Sequence, residues 1–376
     1  MASLVSRFTR SLGRFGVSKG GDSVLGVDIG SSSIKVVQLK REQGRAVLET
    51  YGVAALGPYA GSEIGRAVRV EPSVLARVTI DLSTEANITT SRAVVAIPLR
   101  ASLLTLIELP GIAGANLDEI IRIEARKYIP VPIGEVQLDW TVIPKSESQR
   151  FETLVSAQQE REFADGTEVL LLAIHNNVIA NYRQIVTEAK LDAVAYEIEV
   201  FSAIRAVFGH EIAPTMLIDF GASTTKIVIV DYGIVRLSHT INKGSQDITY
   251  ALSKSMGISF DKAEEYKRNS NILTEKTSGF SVGPTIDYLF FEANRVLISY
   301  QKKYRRTIDK VLLTGGGSYL SGLRERAVEK FTAEVVYGNP FEKVTTPGFL
   351  EQKLAGIGPE FSVAVGAALR GIQELR

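Results

Sequence analysis

From Val24 onward, apolar and polar positions alternate in short runs separated by small residues. The stretches LGVDIG and IKVVQLK predict two strands around Ser31-Ser32-Ser33, and AVLETYGVAAL predicts a third, giving a meander. Helical propensity over residues 62–88 is followed by strand patterns in RAVVAIP and LLTLIELP. A helix is expected in NLDEIIRIEARKYIP. Asn116 suits its cap, Asp118 and Glu119 suit its positive end, and Pro130 and Pro132 stop it. Its buried stripe would be Leu117, Ile120, Ile121, Ala125 and Tyr128. VQLDWTVI and EVLLLAIH read as strands flanking a charged stretch, Lys145 to Glu168, expected as a solvated loop or extended hairpin. The helix NNVIANYRQIVTEAKL closes that block.

The opening pattern then returns. TMLIDFGASTTKIVIVDYG predicts strand, turn and strand, and GIVRLSHTI the next strand. Mostly helical segments run from Gln246 to Tyr304, KVLLTGGG is a strand leading to a short helix, and FSVAVGAALRGI is a terminal helix of small residues. Ahead of all this, Leu4, Val5, Phe8, Leu12 and Phe15 fall on one face at 100° per residue. Arg7, Arg10 and Arg14 gather opposite them. Such a leader, through residues 2–16, suits an anionic membrane surface, a partner groove, or packing on its own domain. Lys19-Gly20-Gly21-Asp22 reads as a flexible joint.

Composition narrows the chemistry. Forty-three basic residues against forty-two acidic ones give a net charge of +1, with no whole-protein footprint for nucleic acid. No cysteine is present, which excludes disulfides, thiolate catalysis and cysteine zinc sites. His175, His210 and His239 are scattered without ligand-like spacing. No apolar run reaches the ~18–20 residues of a spanning helix, and the first residues lack a signal-peptide core, so an intracellular protein is expected.

The strongest signal is internal repetition. LGVDIGSSSIKVVQL (25–39) and MLIDFGASTTKIVIV (216–230) align without gaps. Asp28 matches Asp219, Gly30 matches Gly221, Ser32 matches Ser223 and Lys35 matches Lys226. Glycine permits a tight turn close to a ligand. Consecutive backbone N–H groups with the hydroxyls of Ser31, Ser32 and Ser33, or with Ala222, Ser223 and Thr224, would form an anion-binding concavity. Asp28 and Asp219 could hold Mg2+ through its waters, and each lysine could face a phosphate. A third turn, Thr314-Gly315-Gly316-Gly317-Ser318, lies between a strand and a helix. It does not satisfy G-x-G-x-x-G, and neither a P-loop motif nor a G-x-S-x-G elbow occurs anywhere.

In this order and spacing the three turns resemble those of the superfamily of actin, heat-shock chaperone ATPases and sugar kinases. They look like its first phosphate turn (Asp28 to Lys35), second phosphate turn (Asp219 to Lys226) and adenosine motif (Leu312 to Ser318). The segment Ala263-Glu264-Glu265-Tyr266-Lys267 is similar to its ribose-contacting helix, which maps to Glu264 and Lys267. Tyr196 to Phe201 takes the place of its connecting helix. The superfamily's catalytic polar residue then falls on Glu199, with Val200 where relatives often carry proline.

LGVDIGSSSIKVVQL, EARKYIP followed by VQLDWTVI, and the terminal VAVGAALRG most resemble the PilM family of type IV pilus assembly proteins, over about residues 24–372. That resemblance implies an α/β, actin-like (ribonuclease H-like) two-domain fold with an inserted small α+β domain. The first domain would take residues 24–102, 192–212 and 359–376, the insertion 103–191, and the second domain 213–358. It implies Mg-ATP between the lobes, with Gly315, Gly316, Gly317 and Ser318 at the base, and hydrolysis slow at most. It also implies a cytoplasmic scaffold at the inner membrane face that holds the N-terminal tail of PilN, with self-association open. Two alternatives remain: an FtsA-like membrane-tethered division or filament protein, and a sugar or acetate kinase.

Overall fold

The structure, a computed structural model, describes residues 21–109, 117–143, 167–209, 211–273 and 276–375; of 117 and 276–281 only the backbone is described. The amphipathic leader, the start of the joint after it, the cap Asn116 and most of the charged stretch 145–168 lie outside the described residues. Residues 99–180 form one compact unit, and residues 21–98 with 181–375 another. The smaller unit starts and ends ahead of the expected 103–191.

The larger unit begins with an antiparallel meander, β1 (Ser23–Ile29), β2 (Ser33–Glu42) and β3 (Arg45–Ala55). Helix α1 (Pro72–Glu85) leads to β4 (Arg92–Ile97), which runs parallel to β1. The helix expected over 62–88 is therefore shorter. Gly57, Gly61 and Gly65 interrupt the early part, and Pro72 supplies a first helical residue with φ already set.

In the smaller unit, β5 (Ser102–Leu109) and β6 (Val136–Val142) flank β7 (Thr167–His175) in an antiparallel sheet, order β5-β7-β6. Helix α2 (Leu117–Ala125) covers one face through Ile121 and Ala125. Tyr128, expected in that stripe, is exposed, and Ile129 is buried instead. The chain leaves the helix at Ala125 through i→i−3 bonds from Arg126, Lys127 and Tyr128, which rotate the next side chains off the helical register.

Beyond α3 (Asn176–Glu188), β8 (Asp192–Ile198) pairs parallel with β4, and α4 (Glu199–Val207) follows. Tyr196 to Ile198 is thus strand, and the connecting helix starts only at Glu199. The second lobe repeats the plan with β9 (Thr215–Phe220), β10 (Thr225–Asp231) and β11 (Ile234–Ile241). Helices α5 (Ser245–Met256), α6 (Phe260–Asn269) and α7 (Lys276–Tyr304) come next, then β12 (Lys310–Thr314), α8 (Leu323–Lys330) and β13 (Glu334–Tyr337). The two sheets have matching orders, β3-β2-β1-β4-β8 and β11-β10-β9-β12-β13. Duplication in sequence is therefore duplication of a whole sheet.

After α9 (Glu351–Ile357), the terminal helix α10 (Ser362–Glu374) returns to the first lobe, buried from Ser362 to Ile372. Its small residues permit backbone-to-backbone contact. A Cβ on Gly366 would lie 1.8 Å from Ser202 O, and one on Gly26 of β1 would lie 1.9 Å from Ala364 O. Beneath it Glu197, fully buried, takes 2.6 Å bonds from both Arg205 nitrogens and one from Ser202, with Arg370 Nη1 3.3 Å away. Burial raises the cost of that charge, but the arginines and Ser202 outweigh it and hold the Glu197 carboxyl below the ordinary range.

Two outcomes follow from this packing. On helix propensity alone Gly366→Ala stabilises by about 1 kcal/mol, but the clash with Ser202 reverses the sign. Urea unfolding should show a loss of about 2–3 kcal/mol, and a gain would mean the helix is not seated as described. In the smaller unit, burial pushes the Asp139 carboxyl up to about 7, opposed by the bond from Trp140 N, while its Oδ2 has no partner. A raised carboxyl costs stability where it is ionised in the fold, above about pH 7. That cost fades as pH falls toward the ordinary 3.8. Asp139→Asn should therefore raise the melting temperature at pH 8 and lose most of that advantage by pH 5; a pH-independent difference would contradict this.

Candidate functional site

The two matched hairpins bring their turns together. Asp28 stands opposite Lys35 in the β1–β2 register, and Asp219 opposite Lys226 in β9–β10. Each turn closes with the same bond, Gly30 N to Ser33 O and Gly221 N to Thr224 O, both 3.0 Å. A Cβ on either glycine would sit 2.9 Å from that acceptor oxygen, so neither turn tolerates a side chain there without shifting. The Ser223 hydroxyl donates to that of Ser31 at 2.9 Å, across the two lobes.

The carbonyls of these turns are turned into the protein. Ser32 O accepts from Leu56 N and Ser31 O from Val68 N, while Gly221 O and Ala222 O accept from Ser245 N and Gln246 N at the head of α5. The N–H groups of Ser31, Ser32, Ala222 and Ser223 donate to no backbone acceptor among the described residues. Turns whose carbonyls are satisfied and whose N–H groups remain present positive dipoles, a fit for an anion.

The lysines differ in what they can do. Lys226 Nζ lies 2.8 Å from both Asp219 Oδ2 and Glu199 Oε2, buried beneath the turns. Burial opposes its charge, but the two carboxylates outweigh burial and raise the ammonium well above its ordinary value. Lys35 is held more loosely, 3.1 Å from Ser33 Oγ and 3.8 Å from both Asp28 Oδ2 and Glu360 Oε1. Burial pushes the Asp28 carboxyl up to about 6; Lys35 and Lys226 pull it down, and Glu199 and Asp219 raise it further.

The glycine run docks on the second turn. Gly315 has φ +83°, and a Cβ there would meet Asp219 Oδ1 at 2.4 Å; one on Gly317 would meet the Phe220 ring at 2.6 Å. Gly316 is exposed, and the atoms nearest to where its Cβ would stand belong to Glu360. Ser318 is turned inward, fully buried, its hydroxyl donating to Gly315 O at 2.7 Å, so it braces the loop.

Glu264 and Lys267 are also brought to the cleft but are committed to one another. Lys267 Nζ is 2.6 Å from Glu264 Oε2, which also accepts from Thr249, while Arg268 reaches Oε1. Burial works against the Glu264 charge, yet Lys267, Thr249 and Arg268 hold its carboxyl below the ordinary range. Burial depresses the Lys267 ammonium despite its partner.

Sequence reasoning missed the segment between β3 and α1. At Gly65 (φ +88°) a Cβ would lie 2.7 Å from Glu264 Cδ. Ala67 N donates to Gln246 Oε1 at 3.0 Å, and the Arg66 guanidinium lies over the Tyr250 and Phe260 rings. This strap thus joins the first phosphate-type turn to α5 and α6. Its glycines were the available signal, but nothing in them named their contacts. Glu360 was missed too, since a lone glutamate after Gly-Pro carries no pattern.

Comparison with known proteins agrees with this duplicated plan. Two structures under a fifth identical share the fold: an ethanolamine utilization protein, EutJ, from Carboxydothermus hydrogenoformans, and the MamK double helical filament. EutJ is 17% identical with a TM-score of 0.54, over 96% of this chain and 92% of that one. MamK is 14% identical with a TM-score of 0.50, over 94% and 99%. The fold is therefore actin-like. A structure described as a PilM-PilN type IV pilus biogenesis complex is 26% identical with a TM-score of 0.77, over 93% of this chain and 98% of that one. The family model for type IV pilus assembly protein PilM matches residues 26–372. Since that match takes in nearly all of both duplicated sheets, all three glycine turns and the smaller unit, the chain belongs to the PilM family of type IV pilus assembly proteins.

Proposed function

We propose that this protein is an ATP-binding scaffold of the type IV pilus platform, working in the cytoplasm against the inner face of the cytoplasmic membrane. The observation that carries the nucleotide half is the pair of turns whose carbonyls are bonded while the N–H groups of Ser31, Ser32, Ala222 and Ser223 have no backbone acceptor among the described residues, touching through Ser31 and Ser223. A polyphosphate would lie against those N–H groups and Lys35. The base would rest on the bare backbone of Gly315 to Gly317, and the ribose would lie beside α6. Among the described residues no three carboxylate or imidazole groups converge to hold a metal directly. Magnesium would arrive on the phosphates and meet Asp28 and Asp219 through its waters, where the surplus of carboxylates over ammoniums favours a divalent cation. Bound there it would supply charge neutralisation of the phosphates.

Glu199 is the assigned catalytic position, yet its Oε2 is taken by Lys226. A carboxylate locked to an ammonium is a poor proton acceptor. That pairing supports a reading in which hydrolysis is slow and nucleotide serves conformation.

PilN is the partner we assign, because a similar solved complex pairs a PilM with PilN. Its extended tail would dock on the smaller unit, where β5 and β6 are the outer strands of a three-stranded sheet. Helix α2 offers exposed Arg122 and Ile123 to such a tail, and the turn after it offers Arg126, while Lys127 is paired with Glu124 at 2.6 Å. Membrane contact through residues 2–16 and self-association belong to the same proposal. No helix among the described residues is long and apolar enough to cross a membrane.

Three measurements test this reading. Titration of a fluorescent ATP analogue with magnesium should show at least tenfold weaker binding for Asp219→Ala and for Lys35→Ala, each a change of about 1.4 kcal/mol or more. Circular dichroism controls for folding, and wild-type affinity in both variants would sink the two-turn site. Turnover should lie far below the ~10 s⁻¹ enzyme median. Calorimetry with a synthetic PilN N-terminal peptide should show binding that Arg122→Glu with Arg126→Glu weakens; unchanged affinity would place the tail elsewhere.

A further inference from the structure

The nucleotide reading leaves Glu360 without a role. It sits in the turn Gly358–Phe361 that leads into α10, and that turn is tied to the glycine run. Pro359 O accepts from Gly315 N at 2.9 Å and from the Ser362 hydroxyl at 2.9 Å. Its carboxylate is thereby held in the cleft, Oε1 3.8 Å from Lys35 Nζ and the carboxyl carbon 3.5 Å from where a Cβ on Gly316 would be. The side chain keeps about a third of its exposure, so it borders the open part of the cleft rather than the core.

Its position matters because of the charge inventory around it. Two ammoniums, Lys35 and Lys226, face four carboxylates: Asp28, Glu199, Asp219 and Glu360. Lys226 is already neutralised by Asp219 and Glu199. Lys35 is the cation left for a phosphate, and Glu360 stands beside it on the glycine-loop side. A bare polyphosphate carries several negative charges into a partly desolvated site, where like charges repel far more strongly than in water. The same ligand with a divalent cation has much of that charge cancelled.

We propose that Glu360 is a specificity-determining residue. Its carboxylate neutralises Lys35 in the free protein and turns away polyphosphates that carry no divalent cation. Magnesium is then an entry condition set by this side chain, and the turn N–H groups select among the ligands it admits. The proposal rests on the nucleotide reading above and deepens it.

The test uses the full chain with the fluorescent ATP analogue, titrated in excess magnesium and again in EDTA. Wild type should bind much more weakly in EDTA. Glu360→Gln should narrow that gap by about tenfold, by gaining affinity in EDTA with little change in magnesium. Glu360→Asp, which keeps the charge, should keep most of the gap. An identical magnesium dependence in wild type and Glu360→Gln would overturn the proposal. So would an equal loss of affinity in both conditions, which would make Glu360 a direct contact to the nucleotide. Failure of every protein to bind in magnesium would overturn the nucleotide reading and this proposal with it, whereas binding with an unchanged gap removes only the proposal.

Discussion

The ammonium of Lys226 is the point on which the cleft depends. It joins β10 of the second lobe to Glu199 at the head of α4 in the first, with Asp219 of its own hairpin completing the pair. Truncating one partner of such a buried set leaves the others uncompensated, at about 3–5 kcal/mol. That constraint holds the two turns close enough for Ser31 and Ser223 to touch. It also divides the labour between the duplicated lysines: one is spent on the fold, and the other stays beside the open cleft.

Around that pair, hydrogen-bond accounting creates the binding character. The head of α5 and the ends of the β3–α1 strap take the turn carbonyls, while the N–H groups of Ser31, Ser32, Ala222 and Ser223 keep no backbone acceptor among the described residues. The strap has a second consequence. It bonds to the first turn and also packs on Glu264 and over Tyr250 and Phe260, so it ties the first lobe to α5 and α6 of the second. Membership of the PilM family places these features in a protein whose relatives assemble pilus machinery.

The small-residue helix α10 links this site to the core. Gly26 and Gly366 let it press backbone to backbone on β1 and α4, and its leading turn delivers Glu360 beside Lys35. The close packing at the start of the helix thus also fixes where a charge stands in the turn before it.

Much of this was written in local pattern. Period-two alternation marked the strands, and the gapless repeat of Asp, Gly, Ser and Lys announced two equivalent hairpins, because a turn's chemistry is set by a few adjacent residues. The structure shows that repeat extending to two sheets of the same strand order. Local pattern could not say which lysine would be consumed, since Lys35 and Lys226 occupy identical registers and differ only in what a distant helix brings to them. Nor could it foresee that Ser318 turns inward, that Tyr128 leaves its stripe once the helix ends at Ala125, or that the segment before Pro72 becomes a strap. Sequence alone determined most of the elements and the duplication, both properties of neighbours along the chain. Tertiary structure decided which charges are paired, which N–H groups are left over and where Glu360 stands, because each depends on residues that separate elements bring together.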